Sequence, residues 1–495
     1  MAENEWGSNL SFLLAMIGSA VGLGNIWRYS YVLYSNGGGA FYIPYITALL
    51  LMGVPFLILE YGIGFNYGSS LPKAVKKISP RWKFLGWLLP VILFFILCYY
   101  AALVGWDGIY FVLSFFKGWG ADPNTYFSGT LLHASDSYTG LATFVPVVAI
   151  SMLVIWIILW SVSHRDLESG LGKVSKIFVP LLFAVVAVIV IFSLTLPGAS
   201  IGLSKLFNPD WSLLGDFKVW MAAFGQIIFS LSLGTSGAFT FAGFLGKDED
   251  FISNTIYVVL ANSLFENFAA IGVFAILGYM SFVTATPVEN LVSEGTGLVF
   301  VVYPTVLNVL GQWGYVIGPL FFFAILIAGL TSLLALIEPF SISIQNKFGI
   351  SRSKTVSVMI LVAAALSMVY ATAFGPALLG YVDTVINQIV ALGAIVFECI
   401  LFAWIFPAEE LIDFLNARSK SIKLGRWWIL IVKYILPVCV AIVWIGGMAD
   451  LIMECSYTQL IVSLISIIII FAVTFVLKSL PARNPEWDDV EERIR

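Results

Sequence analysis

Apolar residues recur along this chain in long unbroken blocks, without the strict alternation of a half-buried strand. A helix that crosses a bilayer needs about 20 apolar residues. Twelve blocks of that kind can be read, centred near residues 22, 52, 98, 152, 182, 231, 266, 330, 362, 392, 437 and 467. Two are interrupted. The first carries Gly18-Ser19-Ala20-Val21-Gly22-Leu23-Gly24-Asn25, and the sixth carries Phe229-Ser230-Leu231-Ser232-Leu233-Gly234-Thr235-Ser236-Gly237. Lipid offers no hydrogen-bond partner, so a span normally pairs all its backbone groups internally. Unwound backbone at membrane depth is tolerated where it lines a cavity and its freed carbonyls bind something. Two such breaks in corresponding halves of a chain point to the binding site of a secondary transporter.

Composition fits a polytopic membrane protein: 60% of residues are hydrophobic and 11% charged, against about a quarter charged in a soluble domain. A net charge of −4 gives no reason to expect a nucleic-acid partner. Glu3 and Glu5 stand where a cleaved signal peptide would carry basic residues. The tail, residues 481–495, is charged and expected to be solvated. Cys98, Cys399, Cys439 and Cys455 form no CxxC pair and read as small buried hydrophobes. His133 and His164 lie near loops, and no HExxH, Walker or GxSxG pattern supports an enzyme.

Lysine and arginine set the expected orientation. Lys73, Lys76, Lys77, Arg81 and Lys83 follow the second block. Arg165, Lys173 and Lys176 follow the fourth, Lys347, Arg352 and Lys354 the eighth, and Arg418, Lys420, Lys423 and Arg426 the tenth. The opposite loops hold Lys117, Lys205 and Lys218. Both termini are therefore expected in the cytoplasm of a multi-pass plasma-membrane protein. The long outer loops, about 117–142 and 284–314, are placed to cover a vestibule.

The segments Gly18–Tyr45, "GQIIFSLSLG" (225–234), "ANSLFE" (261–266) and "AGLTSLLALIEP" (328–339), with Asp383 and Glu398 in the tenth block, resemble the neurotransmitter:sodium symporter family from end to end. The resemblance implies one all-α transmembrane domain over 1–495 with the LeuT fold: twelve helices, a 5+5 inverted repeat and two broken helices. Repeat one spans about 8–195 and repeat two about 217–406. Two additional helices cover about 427–480, ahead of a charged cytoplasmic tail. The implied partners are a small amino acid and the bilayer, with a monomer or weak homodimer as the assembly. The ligand set is Na+, two ions, with no organic cofactor.

By the same resemblance, a first sodium is held by Ala20, Asn25, Ser230 and Asn262, and completed by the substrate carboxylate. A second takes Gly18, Val21, Ala328, Thr331 and Ser332. Substrate contacts fall on Ser19, Ala20, Gly22, Leu23, Gly24, Ile96, Tyr100, Phe229, Ser230, Ser232, Thr235, Ser332 and Leu336. The N–H groups around Leu23 and Gly24 would meet the carboxylate at a positive half-helix end. Taken singly, Asn25 or Thr331 reads equally well as an interhelical hydrogen-bonding residue, Tyr100 as packing, and Gly18-x-x-x-Gly22 as a close-packing motif. Amine-carrying relatives have an Asp where Gly22 stands, so the ligand here is expected to bring its own carboxylate. Ser19 and Thr235 point to a larger, aromatic neutral side chain.

Arg28 and Asp383, with Tyr100 and Phe229, form the expected outer gate; a fixed structural ion pair is the alternative. Glu266 replaces the serine of chloride-dependent relatives, which implies chloride independence and offers a site for proton counter-transport. Glu60 and Glu338 read as structural acids near the breaks. Gly170 and Pro180 match a Gly-x9-Pro spacing at which the fifth helix can unwind, or are an ordinary helix start and a tolerated proline. The family's inner Arg–Asp gate is absent. Trp6 follows Glu3 and Glu5, the Asp position is Asn346, and Lys347 is expected to form a reversed pair with one of those acids. The expected activity is sodium-coupled import of a neutral amino acid by alternating access. Transport of a betaine-like zwitterion, or a non-transporting sensor or channel on the same scaffold, are the alternatives.

Overall fold

The computed structural model describes residues 6–246, 249–292, 295–420, 422–489 and 492–493, without the side chains of Trp27 and Glu454. Within them the chain is helical, with one isolated antiparallel bridge between Phe144 and Thr372. The first apolar block folds as α1 (Asn9–Ala20) and α2 (Leu23–Ser35), which meet at 64°. Next come α3 (Gly38–Tyr67), α4 (Pro80–Ser114), α5 (Pro146–Ser163) and α6 (Glu168–Leu194). The sixth block is split into α7 (Phe217–Ser230) and α8 (Gly237–Ala242). The remainder are α9 (Phe251–Thr284), α10 (Gly311–Phe348), α11 (Arg352–Ala371), α12 (Gly375–Ile405), α13 (Arg426–Met453) and α14 (Tyr457–Ser479).

Ten of these helices are long and apolar enough to cross a membrane unaided, and α1 with α2 makes an eleventh. The sixth block is the exception because neither half reaches spanning length. Helix ends follow local chemistry. Asp250 caps α9 by accepting the Ser253 N–H at 2.9 Å, and α10 stops at Gly349, whose φ of +65° a side chain disfavours. The helix Ala199–Phe207 lies so close to α9 that a Cβ on Gly202 would sit 1.7 Å from the Phe274 carbonyl.

One end of the bundle gathers both termini, the α3–α4 and α5–α6 turns and the ends of α8 and α10. At the other end the two long loops meet: Trp119 Nε1 donates to Asn308 Oδ1 at 3.0 Å, and Asn308 Nδ2 to the Gly120 carbonyl at 2.8 Å.

The tail is mostly exposed, as expected, but it is anchored at a few points. Trp487 is 7% exposed and packs beside Trp87, and Asp488 pairs with Lys76. Arg493 donates to the carbonyls of Asn66 (2.9 Å) and Gly243 (3.1 Å). The charged tail docks because the helix ends at this face leave carbonyls without intrahelical donors. Glu338 also departs from expectation. It does not support a broken backbone; it forms a buried two-pronged ion pair with Arg352 at 2.5 and 2.8 Å. Arg352 Nε reaches on to the Arg165 carbonyl.

Removing one partner strands the other charge. Arg352→Met is expected to lower unfolding stability of the purified protein by about 3–5 kcal/mol. Lys433→Met, whose partner Glu409 is half exposed, should cost under about 1 kcal/mol in the same thermal unfolding measurement.

Candidate substrate and ion site

Helix α1 stops because Val21 (ψ 93°) and Gly22 (φ −121°, ψ −167°) are extended. Helix α2 then restarts with Gly22 as its cap: the Gly22 N–H donates to Asn25 Oδ1 at 2.9 Å. The Leu23 N–H points at the Tyr100 hydroxyl of α4, 3.4 Å away. A Cβ on Gly22 would lie 3.0 Å from Ser332 Oγ and 3.4 Å from the Tyr100 oxygen. Gly22 therefore keeps open a small space bounded by a hydroxyl from α4 and another from α10.

The second break lies opposite. Helix α7 ends at Ser230, and positive φ values at Ser232 (50°), Gly234 (66°) and Ser236 (59°) carry the chain to α8. Non-glycine residues at positive φ are uncommon and held by their surroundings; here Thr235 Oγ1 donates to the Ser232 carbonyl at 2.7 Å. The Phe229 ring covers Gly24, where a Cβ would fall 2.2 Å from it, and the Arg28 guanidinium lies 4.5 Å over that ring. Ser19, Ile96, Tyr100, Ser232, Thr235 and Leu336 are partly exposed at mid-bundle, and Phe229 is exposed at 37%. These residues lie at the two breaks, on α4 and on α10, and present partly open polar and apolar surface.

Beside the breaks is a buried polar cluster. Asn25 Nδ2 donates to Asn262 Oδ1 at 2.8 Å and to Glu266 Oε2 at 3.3 Å. Asn262 Nδ2 donates to Ser230 Oγ at 3.3 Å. Gln226 Nε2 donates to Glu266 Oε2 at 3.1 Å, and the Tyr45 hydroxyl donates to Glu266 Oε1. Asn25, Ser230, Asn262 and Glu266 are at most 2% exposed, and Ala20 ends α1 five residues before Asn25. An oxygen-rich pocket ending on a carboxylate suits a hard monovalent cation.

The other expected ion residues also meet. Ser332 Oγ donates to the Gly18 carbonyl at 3.4 Å, and Thr331 Oγ1 reaches the Ala328 carbonyl at 3.1 Å. A Cβ on Gly18 would be 3.7 Å from Thr331 Oγ1. Val21, whose carbonyl leaves the α1 end, is fully buried.

The gates differ in detail. Asp383 accepts from Tyr99 at 2.6 Å and Asn387 at 2.8 Å, and Arg28 is near enough for its charge to act on it. Lys347, expected to pair with Glu3 or Glu5, has other partners among the described residues. Its ammonium donates to the Leu477 and Lys478 carbonyls and lies over Trp87 and Trp487, because the docked tail and α14 supply acceptors there. Glu3 and Glu5 lie outside the described residues. Trp6 instead ties the N-terminal segment to α8 and the turn after it, donating from Nε1 to the Phe241 carbonyl at 2.9 Å and from its N–H to the Phe244 carbonyl at 3.3 Å.

Tyr45, Gln226, Tyr99 and Asn387 were not singled out in the sequence, although they carry most of the hydrogen bonds to Glu266 and Asp383. A tyrosine or amide in an apolar block gives no periodic signal. The one usable hint was that each buried acid needed donors from somewhere.

The pattern defining the Sodium:neurotransmitter symporter family matches residues 3–126 and 121–480. The chain is 36% identical over 438 residues to an uncharacterised sodium-dependent transporter of Methanocaldococcus jannaschii, covering 88% of this chain and 89% of that one. It is 26% identical to the sodium-dependent serotonin transporter of Drosophila melanogaster, covering 88% and 75%, and 28% identical to the human sodium- and chloride-dependent creatine transporter 1, covering 83% and 72%. Among solved structures, MhsT in complex with L-phenylalanine is similar with a TM-score of 0.76 and 28% identity, covering 90% of this chain and 99% of that one.

A buried carboxylate that loses a donor loses about 1.5–3 kcal/mol. Tyr45→Phe is expected to lower thermal stability by that amount. Tyr42→Phe should cost clearly less, because Tyr29 also donates to the shared acceptor Asn267 Oδ1, at 2.7 Å.

Proposed function

Because the chain belongs to the sodium:neurotransmitter symporter family, we propose that it couples sodium entry to import of a neutral amino acid by alternating access. The protein is a sodium-dependent, multi-pass membrane transporter and not an enzyme; the substrate, the ion count and the roles below are our reading. The observation that carries it is the facing of the Leu23 N–H and the Tyr100 hydroxyl across the space left by Gly22. A carboxylate placed there takes both donors at the positive end of α2. The amino group is then received by carbonyls at Ala20, Phe229 and Ser230 and by the Ser232 hydroxyl. Ser19, Ile96, Thr235, Ser332 and Leu336 surround the side chain, with room for a large or aromatic one. The phenylalanine bound by MhsT supports this size class.

The first sodium takes the place of the Asn25 amide proton between Asn25, Asn262, Ser230 and the Ala20 carbonyl. Turning that amide oxygen toward Asn262 and Glu266 is unfavourable until a cation stands between them, so ion and substrate sites form together. The second sodium sits among Gly18, Val21, Ala328, Thr331 and Ser332, joining α1 to α10. Glu266 supplies the negative charge that chloride supplies elsewhere. One sodium moving down 100 mV releases about 2.3 kcal/mol, roughly fiftyfold in substrate concentration. The basic residues collected at the terminus end support an orientation with both termini in the cytoplasm. Residues 8–195 and 217–406 form the inverted repeats, with 427–480 added outside them. Phe229, stacked under Arg28, Tyr100 and Asp383 close above the substrate.

The purified protein should be stabilised by one or a few large neutral amino acids in sodium and by none in potassium, read as a shift in unfolding temperature across all amino acids, betaine and creatine. Stabilisation by betaine or creatine alone would replace the amino-acid reading, and sodium-independent stabilisation would remove the coupling. Uptake should not change when chloride is replaced by gluconate. Glu266→Ser should lose about tenfold in chloride-free uptake and recover with chloride; loss without recovery would show that the carboxylate does not stand in for the anion.

A further inference from the structure

The end of α1 nearest the N-terminus is held by a residue that none of the ion, substrate or outer-gate sites uses. Glu168 opens the π-turn segment Glu168–Gly172 that leads into α6. Its Oε1 accepts the Ser11 hydroxyl at 2.9 Å and the Lys176 ammonium at 2.6 Å, and its Oε2 accepts the Gly7 N–H at 3.0 Å. A Cβ on Gly7 would fall 2.9 Å from the Glu168 carboxyl carbon, so the chain runs directly over this group. One carboxylate therefore gathers three donors, two from the N-terminal segment and one from α6. Hydrogen bonds to an ionised acceptor are roughly twice as strong as neutral ones.

The α1–α6 seam that begins at Glu168 ends at the proposed second sodium site. There a Cβ on Gly18 would meet Val179 Cγ2 at 2.9 Å, and the Gly18 carbonyl accepts from Ser332. Between these points α6 has a built-in weakness. Pro180 lacks the N–H that would pair with the carbonyl of Lys176 four residues earlier. The residue whose helical bond is missing is the one whose side chain Glu168 holds. The missing bond and the ion pair lie on the same turn, so releasing the carboxylate removes the external tie where the helix is least able to hold itself.

We propose that Glu168 is a positioning residue that latches α1 to α6 and thereby sets when the second sodium is released. While the ion is bound, the carboxylate keeps Gly7, Ser11 and Lys176 together. As α1 swings away, the three donors part and α6 opens at Lys176–Pro180, exposing the ion to water from the terminus end. This inference rests on the alternating-access reading, and it gives this chain an inner closure that does not depend on Lys347.

The test uses Val179→Cys as a reporter, a buried position on the seam, with Cys439 and Cys455 replaced by serine. A water-soluble maleimide is applied to the protein in nanodiscs, in sodium or in potassium. The parent reporter should label about tenfold more slowly in sodium. A parent rate indifferent to sodium would sink the alternating-access reading itself, whatever Glu168 does. Adding Glu168→Ala should raise the rate in sodium about tenfold, to the potassium value, and raise the sodium concentration for half-protection by a similar factor. Glu168→Gln keeps an acceptor for the N-terminal donors but loses the charge, and should fall between. Ser11→Ala and Lys176→Met should shift the same way by less, and they decide the matter if Glu168→Ala does not fold. A sodium-sensitive parent with Glu168→Ala, or failing that both single-partner variants, at the parent rate and sodium dependence would overturn the latch.

Discussion

The constraint behind this architecture is the absence of any hydrogen-bond partner in hydrocarbon. Ten helices meet it by pairing nearly all their backbone groups internally, internal prolines such as Pro180 excepted. The first and sixth blocks do not, and what they release at Val21–Gly22 and Leu231–Ser236 must be satisfied by something else. The structure answers with local devices: Asn25 caps α2 through the Gly22 N–H, Thr235 closes on the Ser232 carbonyl, and Tyr100 approaches the Leu23 N–H from another helix. Of these only the Leu23 contact is long, at 3.4 Å. On the proposed function, a bound ion and a zwitterion would partner the same groups, which would couple binding to the geometry of the break.

Charge is arranged on the same principle. A buried carboxylate needs donors or a countercharge, and each solution here is different. Glu338 is fully paired with Arg352 and serves stability. Glu266 is surrounded by neutral donors from Asn25, Gln226 and Tyr45, which leaves its charge available to a neighbouring cation. Glu168 sits at the edge of the bundle and collects donors from two elements whose separation it resists. The differing neighbours, more than the acids themselves, separate the structural role of Glu338 from the coupling and latching roles proposed for Glu266 and Glu168.

The tail and the N-terminal segment close the terminus end together. Trp6 is anchored on the carbonyls of Phe241 and Phe244, while Arg493 reaches the carbonyl of Gly243, between them in sequence. Both contacts fall on the end of α8 and the turn after it, in the short second half of the broken sixth block. Movement of α8 must disturb both segments, which links the substrate site to this face through a helix of 6 residues.

The sequence alone determined the membrane class, the number of apolar blocks and the positions of both breaks. Length of apolar run and glycine or hydroxyl placement are local properties that survive without coordinates. It also determined Asn25, Asn262, Ser230 and Glu266 as one group, through a family resemblance carried by contiguous motifs. It did not find the partners of Lys347 and Glu338 or the anchor points of the tail, for a common reason. Which carbonyls at a helix end lack donors, and which distant charge reaches them, depends on how helices far apart in sequence are brought to one face. Only the tertiary structure decided that Lys347 would be taken by the end of α14, Glu338 by Arg352, and the N-terminal segment by Glu168, because a single long side chain reaches whatever acceptor packing brings within a few ångströms.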